Sequence, residues 1–186
     1  MTKFLILHGT AATPNDNWFI WLKGKLVGEG NDVWLPQLPD AEKPNTKTYN
    51  KYILSNKDFV IGSDTILIGH SSGAVEILSL LEHLSEGIVV KAAVFVSSFK
   101  DNLNWDSLSG LFREPFDFEL IKSRSNQFIF IHSDNDPYVP LKHAKYLSTE
   151  LNGKLMLFEG QGHFNTEINP KYKQFPELFK IIKSIK

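Results

Sequence analysis

The sequence predicts an α/β fold, a doubly wound and mostly parallel sheet of about six strands, as a single domain over residues 1–186. Three observations point there. Short apolar runs recur along the chain with little polar alternation, the pattern of strands buried on both faces of a parallel sheet. Amphipathic stretches of helical period separate them, which favours α/β layering with right-handed crossovers. Between the third run and the stretch that follows it stands a serine framed by glycines, Gly69-His70-Ser71-Ser72-Gly73.

Taken in order, the strands are expected at Phe4–Leu7, Val33–Leu35, Thr65–Ile68, Ala92–Val96, Phe128–Ile131 and Leu155–Phe158. Trp18, Trp21, Leu22 and Leu26 suggest a first helix, and Tyr49 to Val60 a second. Ala74 to Leu84 is the clearest helix, with Val75, Ile77, Leu78 and Leu81 building one apolar face. Leu141 to Leu151 and Phe175 to Ile185 complete the set. Phe99 to Asn126 carries Trp105, Leu108, Phe112, Phe116 and Phe118 without a clean period, and reads as short helices forming a wall over the sheet.

Composition narrows the function. With 42% hydrophobic and 12% aromatic residues there is material for a full core. Lys and Arg (20) nearly cancel Asp and Glu (21), leaving a net charge of -1. That balance offers no electrostatic hold on nucleic acid or anionic membrane. The chain has no cysteine, which excludes disulfides, thiolate catalysis and cysteine-ligated zinc. The apolar run Phe4–Leu7 ends at His8-Gly9, too short for a signal peptide or a membrane span. The chain therefore reads as soluble and cytoplasmic.

The glycine frame selects Ser71 as a nucleophile. A sharp strand-to-helix turn holds its oxygen clear of the sheet, and side chains at positions 69 and 73 would strike neighbouring backbone. The helix start turns free N–H groups and the positive dipole end towards developing negative charge. Ser72 is the local rival, but it lacks the frame. Its backbone N–H is the better candidate for an oxyanion donor. In a doubly wound sheet the first strand, ending in His8-Gly9-Thr10, lies beside the strand leading to Ser71, where strand order reverses. The Thr10 N–H could then join that of Ser72, each such donor being worth about 2.7–4 kcal/mol in the transition state.

Six histidines compete for the base: His8, His70, His83, His132, His143 and His163. His163 lies in a loop directly after the last strand, where parallel sheets carry their catalytic groups. His70 is tied by its own backbone beside Ser71, His83 sits late in a helix, and His143 lies within a helical pattern. The fifth strand ends in two carboxylates, Asp134 and Asp136, either able to orient an imidazole. Asp134-Asn135-Asp136 also resembles the start of a calcium loop, but the sixth position is Val139 where glycine is needed. Gly160-Gln161-Gly162 lacks the third glycine of a dinucleotide site. No metal and no cofactor are expected.

Together these stretches resemble the α/β-hydrolase superfamily. More narrowly, the chain is similar to small serine hydrolases of the retinoblastoma-binding-protein-9 type. That likeness rests on the short chain, Asn17-Trp18-Phe19-Ile20-Trp21-Leu22, Gly-His-Ser-Ser-Gly, Asp136-Pro137-Tyr138-Val139-Pro140 and Gly162-His163-Phe164. It implies a minimal fold without a cap domain, and it makes Asp136, the aspartate of the Asp-Pro turn, the triad acid. The order Ser71, Asp136, His163 is the chain order of α/β-hydrolases. The implied activity is hydrolysis of small carboxylic esters or thioesters through an acyl-enzyme, with Trp18, Tyr138 and Phe164 lining the acyl pocket. The family name records a protein partner, so the alternative is an interaction module with an idle triad.

Overall fold

The computed structural model describes residues 1–185. Its strands are β1 (Lys3–Leu7), β2 (Asp32–Trp34), β3 (Thr65–His70), β4 (Ala92–Val96), β5 (Phe128–Ser133) and β6 (Lys154–Phe158). Its helices are α1 (Phe19–Gly28), α2 (Thr46–Leu54), α3 (Ser72–His83), α4 (Phe118–Lys122), α5 (Leu141–Glu150) and α6 (Pro176–Lys183), with two short 3₁₀ segments at Asp106–Leu111 and Pro170–Lys173. The strands form one sheet in the order β2-β1-β3-β4-β5-β6. Every pairing is parallel, so the expected mostly parallel sheet is wholly parallel. β1 pairs with β3 from Lys3 beside Thr65 to Leu7 beside Gly69. The order of connection reverses at this pair, and their C-terminal ends open together on one edge of the sheet.

Alternation along the strands divides the core. Leu5, Leu7, Leu67, Ala93, Phe95, Phe128 and Phe130 face α2, α3, α4 and α5. Phe4, Ile6, Ile66, Ile68, Val94, Val96, Ile129 and Ile131 face α1 and α6. Phe95 and Phe130 stack across β4 and β5 with ring centroids 4.6 Å apart, a contact worth about 0.5–1.5 kcal/mol beyond its area. Burial on both faces explains the continuous apolar runs. β6 is an exception: it is one of the sheet's two edges, and Leu157 on it is exposed.

Two helices differ from expectation. α2 stops at Leu54, because Asn56 Oδ1 accepts from the N–H groups of Asp58 and Phe59 and turns the chain out of the helix. Phe59 still enters the core, from a loop. α3 is buried from Ser72 to Leu81 on every side, not on one face. α2, α4 and the 3₁₀ segment flank it, so Val75 packs apart from Ile77 and Leu78, against Phe99, Leu108, Leu111 and Val139. No helix among the described residues is long and apolar enough to cross a membrane.

The enclosure of α3 takes in Glu76, which is fully buried with neither carboxyl oxygen hydrogen-bonded. Burial holds its pKa well above the ordinary 4.5. The native state therefore keeps a proton that the unfolded chain releases above pH 4.5. Stability then falls as pH rises from that value towards the raised native pKa, by at most about 1.4 kcal/mol per pH unit. Glu76→Gln removes the titration. In urea melts its stability relative to wild type is expected to improve as pH rises above 4.5. A difference independent of pH would mean that the native carboxyl is already ionised.

Candidate active site

The site forms where the C-terminal ends of β1, β3, β4, β5 and β6 meet. Ser71 follows β3 directly, at φ 56° and ψ −122°. That conformation is costly for a residue with a Cβ, on the order of 1–3 kcal/mol. It persists because the surroundings dictate it. The Ser71 N–H donates to the carbonyl of Val96 at the end of β4, at 2.9 Å. A Cβ on Gly69 would lie 2.5 Å from the Gly73 carbonyl oxygen, and one on Gly73 would lie 2.5 Å from that of Leu7. Only glycine lets β3, β1 and α3 approach so closely. Ser71 precedes α3 but its side chain makes no capping bond, so the hydroxyl is not spent on the helix end.

Asp136 lies in the loop after β5, its side chain fully enclosed. Oδ2 accepts from His163 Nδ1–H at 2.8 Å and from the Ser97 hydroxyl at 2.8 Å. Oδ1 accepts from the N–H groups of Tyr138 and Val139, each at 3.0 Å. Burial alone would raise this carboxyl, but the hydrogen bond and charge of His163, with the Val139 N–H and Ser97, outweigh it and hold the pKa below the ordinary 3.8. Asp134 points elsewhere, accepting from the Gly160 N–H at 2.8 Å. The second carboxylate of this loop therefore supports the histidine loop and does not touch the imidazole.

His163 follows β6. With its Nδ1 proton given to Asp136, its Nε2 is left as an acceptor. Its ring lies edge-on to Tyr138, centroids 5.0 Å apart, and 4.8 Å from the ring of His70. The other buried histidines are otherwise engaged. His8 Nδ1–H donates to the Gly9 carbonyl while its Nε2 accepts from the Leu38 N–H. His132 Nε2–H donates to the Val139 carbonyl. His83 is exposed on α3.

Ser71 and His163 open into one cavity of about 500 Å³. Gly9, Thr10 and Ala11 form one side of it, while Phe99, Leu103, Trp105, Leu108, Tyr138 and Val139 form an apolar wall. Asp16 and Glu167 also line it, and no Lys or Arg does. A Cβ on Gly9 would come 3.1 Å from the Ser71 Cβ, so the loop after β1 lies directly against the elbow. Among the described residues, neither the Thr10 N–H nor the Ser72 N–H donates to a backbone acceptor. No group of three or more His, Asp or Glu side chains there could hold a metal ion.

Two of the three expected pocket residues are corrected. Trp18 and Phe164 are fully buried and line no part of the cavity. Their rings pack on Phe175 in the core beneath the site, and only Tyr138 faces the cavity. Ser97 escaped sequence reading: it is the first of two serines after β4, at φ 51°, with no frame to mark it.

The strand order, and the placing of these residues after β3, β5 and β6, are those of an α/β-hydrolase. The Serine hydrolase family model matches residues 4–184, and the chain belongs to that family. It is 28% identical over 190 residues to the serine hydrolase RBBP9 of Rattus norvegicus, covering 99% of this chain and 95% of that one. It is 29% identical over 166 residues to YdeN of Bacillus subtilis (strain 168), covering 88% and 87%. The crystal structure of the YdeN gene product superposes with a TM-score of 0.92 at 24% identity, over 100% of this chain and 98% of that one. Est1E of Butyrivibrio proteoclasticus, solved with ferulic acid bound, shares the fold at a TM-score of 0.75 and 15% identity, covering 100% and 89%.

Proposed function

We propose that the protein hydrolyses small carboxylic esters or thioesters through an acyl-enzyme on Ser71. The observation that carries this is the 2.8 Å His163–Asp136 hydrogen bond, with His163 and Ser71 lining one cavity. Ser71 Oγ attacks the substrate carbonyl carbon and passes its proton to His163 Nε2, while Asp136 stabilises the imidazolium. The carbonyl oxygen becomes an oxyanion held by the Thr10 and Ser72 N–H groups. The intermediate collapses, breaking the bond to the leaving group, which departs with the proton from His163. Water then attacks the acyl carbon, giving its proton to His163, which returns it to Ser71 Oγ as the acyl–oxygen bond breaks and the carboxylic acid is released. No metal or cofactor takes part. The absence of cysteine fits a reducing compartment, and the cytoplasm is the proposed location.

The cavity bears on the substrate. Its apolar wall comes from Phe99 to Leu108 together with Tyr138 and Val139, and is too short to enclose a long acyl chain. Each buried CH₂ gains about 0.8 kcal/mol, and carbons beyond the rim gain nothing. Asp16 and Glu167 without a lining cation disfavour a carboxylate on the substrate. The test has two arms. A fluorophosphonate probe should label the folded protein, with the adduct on the peptide that contains Ser71. Among p-nitrophenyl esters, kcat/KM should peak at short chains, roughly two to six carbons, and fall for an acyl group ending in a carboxylate. A folded protein that takes no label would sink the hydrolase reading in favour of an idle-triad interaction module. A steady rise to long chains would sink only the short pocket.

A further inference from the structure

We propose that Trp18 and His70 are positioning residues, a pair of ring N–H donors that clamp the backbone of the base loop and set His163 against Ser71. This rests on the triad reading above. His163 sits between two left-handed residues, Gly162 at φ 61° and Phe164 at φ 53°. Backbone of that kind has no secondary structure of its own to hold it, so its groups must find partners from elsewhere.

On the N-terminal side the partners come from the end of β5 and the acid loop that follows it. The N–H groups of Gly160, Gln161 and Gly162 donate to Asp134 Oδ1, Ser133 Oγ and Asn135 Oδ1, each at 2.8 Å. On the C-terminal side they come from the nucleophile's half of the sheet. His70 Nε2–H donates to the carbonyl of His163 itself at 2.8 Å, and Trp18 Nε1–H donates to the carbonyl of Phe164 at 3.1 Å. His70 is the residue before Ser71, so one hydrogen bond ties the backbone of the base to that of the nucleophile. Trp18 ends the loop that begins at Gly9-Thr10, so the second bond ties the base loop to the proposed oxyanion segment.

Both donors suit the task. Trp18 is fully buried, and an indole N–H can only donate. Its ring is fixed edge-on between Phe19 and Phe175, centroids 4.7 and 5.9 Å away. His70 is held neutral, its pKa lowered to about 3 by burial and by His163. The carbonyl it serves keeps its single proton on Nε2, and its Nδ1 has no partner. The imidazole of His163 thus has its ring direction set by Asp136 and its backbone height set by His70 and Trp18.

The test uses Trp18→Phe, His70→Leu and His70→Gln in the full chain, with active sites counted by fluorophosphonate titration. The Trp18→Phe and His70→Leu variants are expected to lose between about tenfold and 10²-fold in kcat per titrated site, the scale of a base displaced by up to an ångström. For Trp18→Phe, KM should stay within about twofold, because Trp18 lines no part of the cavity. His70→Gln keeps a side-chain N–H donor of similar reach and should recover most of the rate. If Trp18→Phe fails to fold, the His70 pair gives the same decision. The second arm repeats the substitutions in a His163→Ala background, on the residual rate with p-nitrophenyl acetate. There they should cost almost nothing, since residues acting through His163 lose their effect without it. A loss confined to the titrated fraction, or the same fold-loss in the His163→Ala background, would overturn the clamp while leaving the triad standing. A His163→Ala variant with wild-type rate would remove the triad reading, and the clamp with it.

Discussion

Ser71→Ala is expected to lower kcat on a p-nitrophenyl ester by about 10⁶-fold, the scale seen when a serine hydrolase loses its nucleophile. Ser72→Ala should cost no more than about tenfold, for it keeps the backbone N–H through which Ser72 would act. The pair is informative because the fold tolerates both. Alanine meets the same strain as serine at φ 56°, and the Ser71 side chain supplies no cap to α3, so the substitution removes an oxygen and little else. Ser72 is buried in the first turn of α3, where alanine is the best helix former. Stopped-flow bursts and probe labelling on both purified variants decide the assignment. A silent Ser72→Ala variant beside an active Ser71→Ala variant would move the nucleophile by one residue and invalidate the reading of the elbow.

What could be read from the sequence divides along a physical line. The strands were legible because layers cover both faces of the central strands, leaving continuous apolar runs such as Ala92–Val96. The elbow was legible because Gly69 and Gly73 answer a steric demand written into their own positions. His163 and Asp136 were legible as loop residues following β6 and β5, the choice of Asp136 over Asp134 coming from the family resemblance. Trp18 and Phe164 show the limit. Their sequence neighbours place both near the site, yet whether a ring turns towards cavity or core is set by packing between segments 146 residues apart. Ser97 needed the end of β4 to be brought beside Asp136, a juxtaposition with no local trace. The cavity wall was hidden for another reason. A short 3₁₀ segment and irregular turns have no hydrophobic period, and Trp105 at the cavity mouth remains half-exposed.

Asp136→Asn is expected to lower kcat by up to about 10⁴-fold, through the tautomer of His163. The hydrogen bonds around residue 136 dictate how an amide would sit. Oδ1 accepts two backbone N–H groups, from Tyr138 and Val139, so the oxygen of asparagine must take that place. Its NH₂ then occupies the place of Oδ2 and points a donor at His163 Nδ1. The imidazole answers by accepting at Nδ1 and carrying its proton on Nε2, where it can no longer take one from Ser71. The charge that would stabilise the imidazolium is lost as well. That charge is present at every working pH, since the Asp136 pKa lies below 3.8. Its contribution to stability, full above that value, disappears only as pH falls through the depressed native pKa. Asp134→Asn should behave differently. Asparagine keeps an oxygen for the Gly160 N–H, and residue 134 makes no contact with the imidazole, so kcat should fall by no more than a few-fold. Both variants can be compared by kcat on one ester, with urea midpoints confirming that each is folded. The opposite ranking would hand the acid role to Asp134 and require the loop after β5 to rearrange when substrate binds.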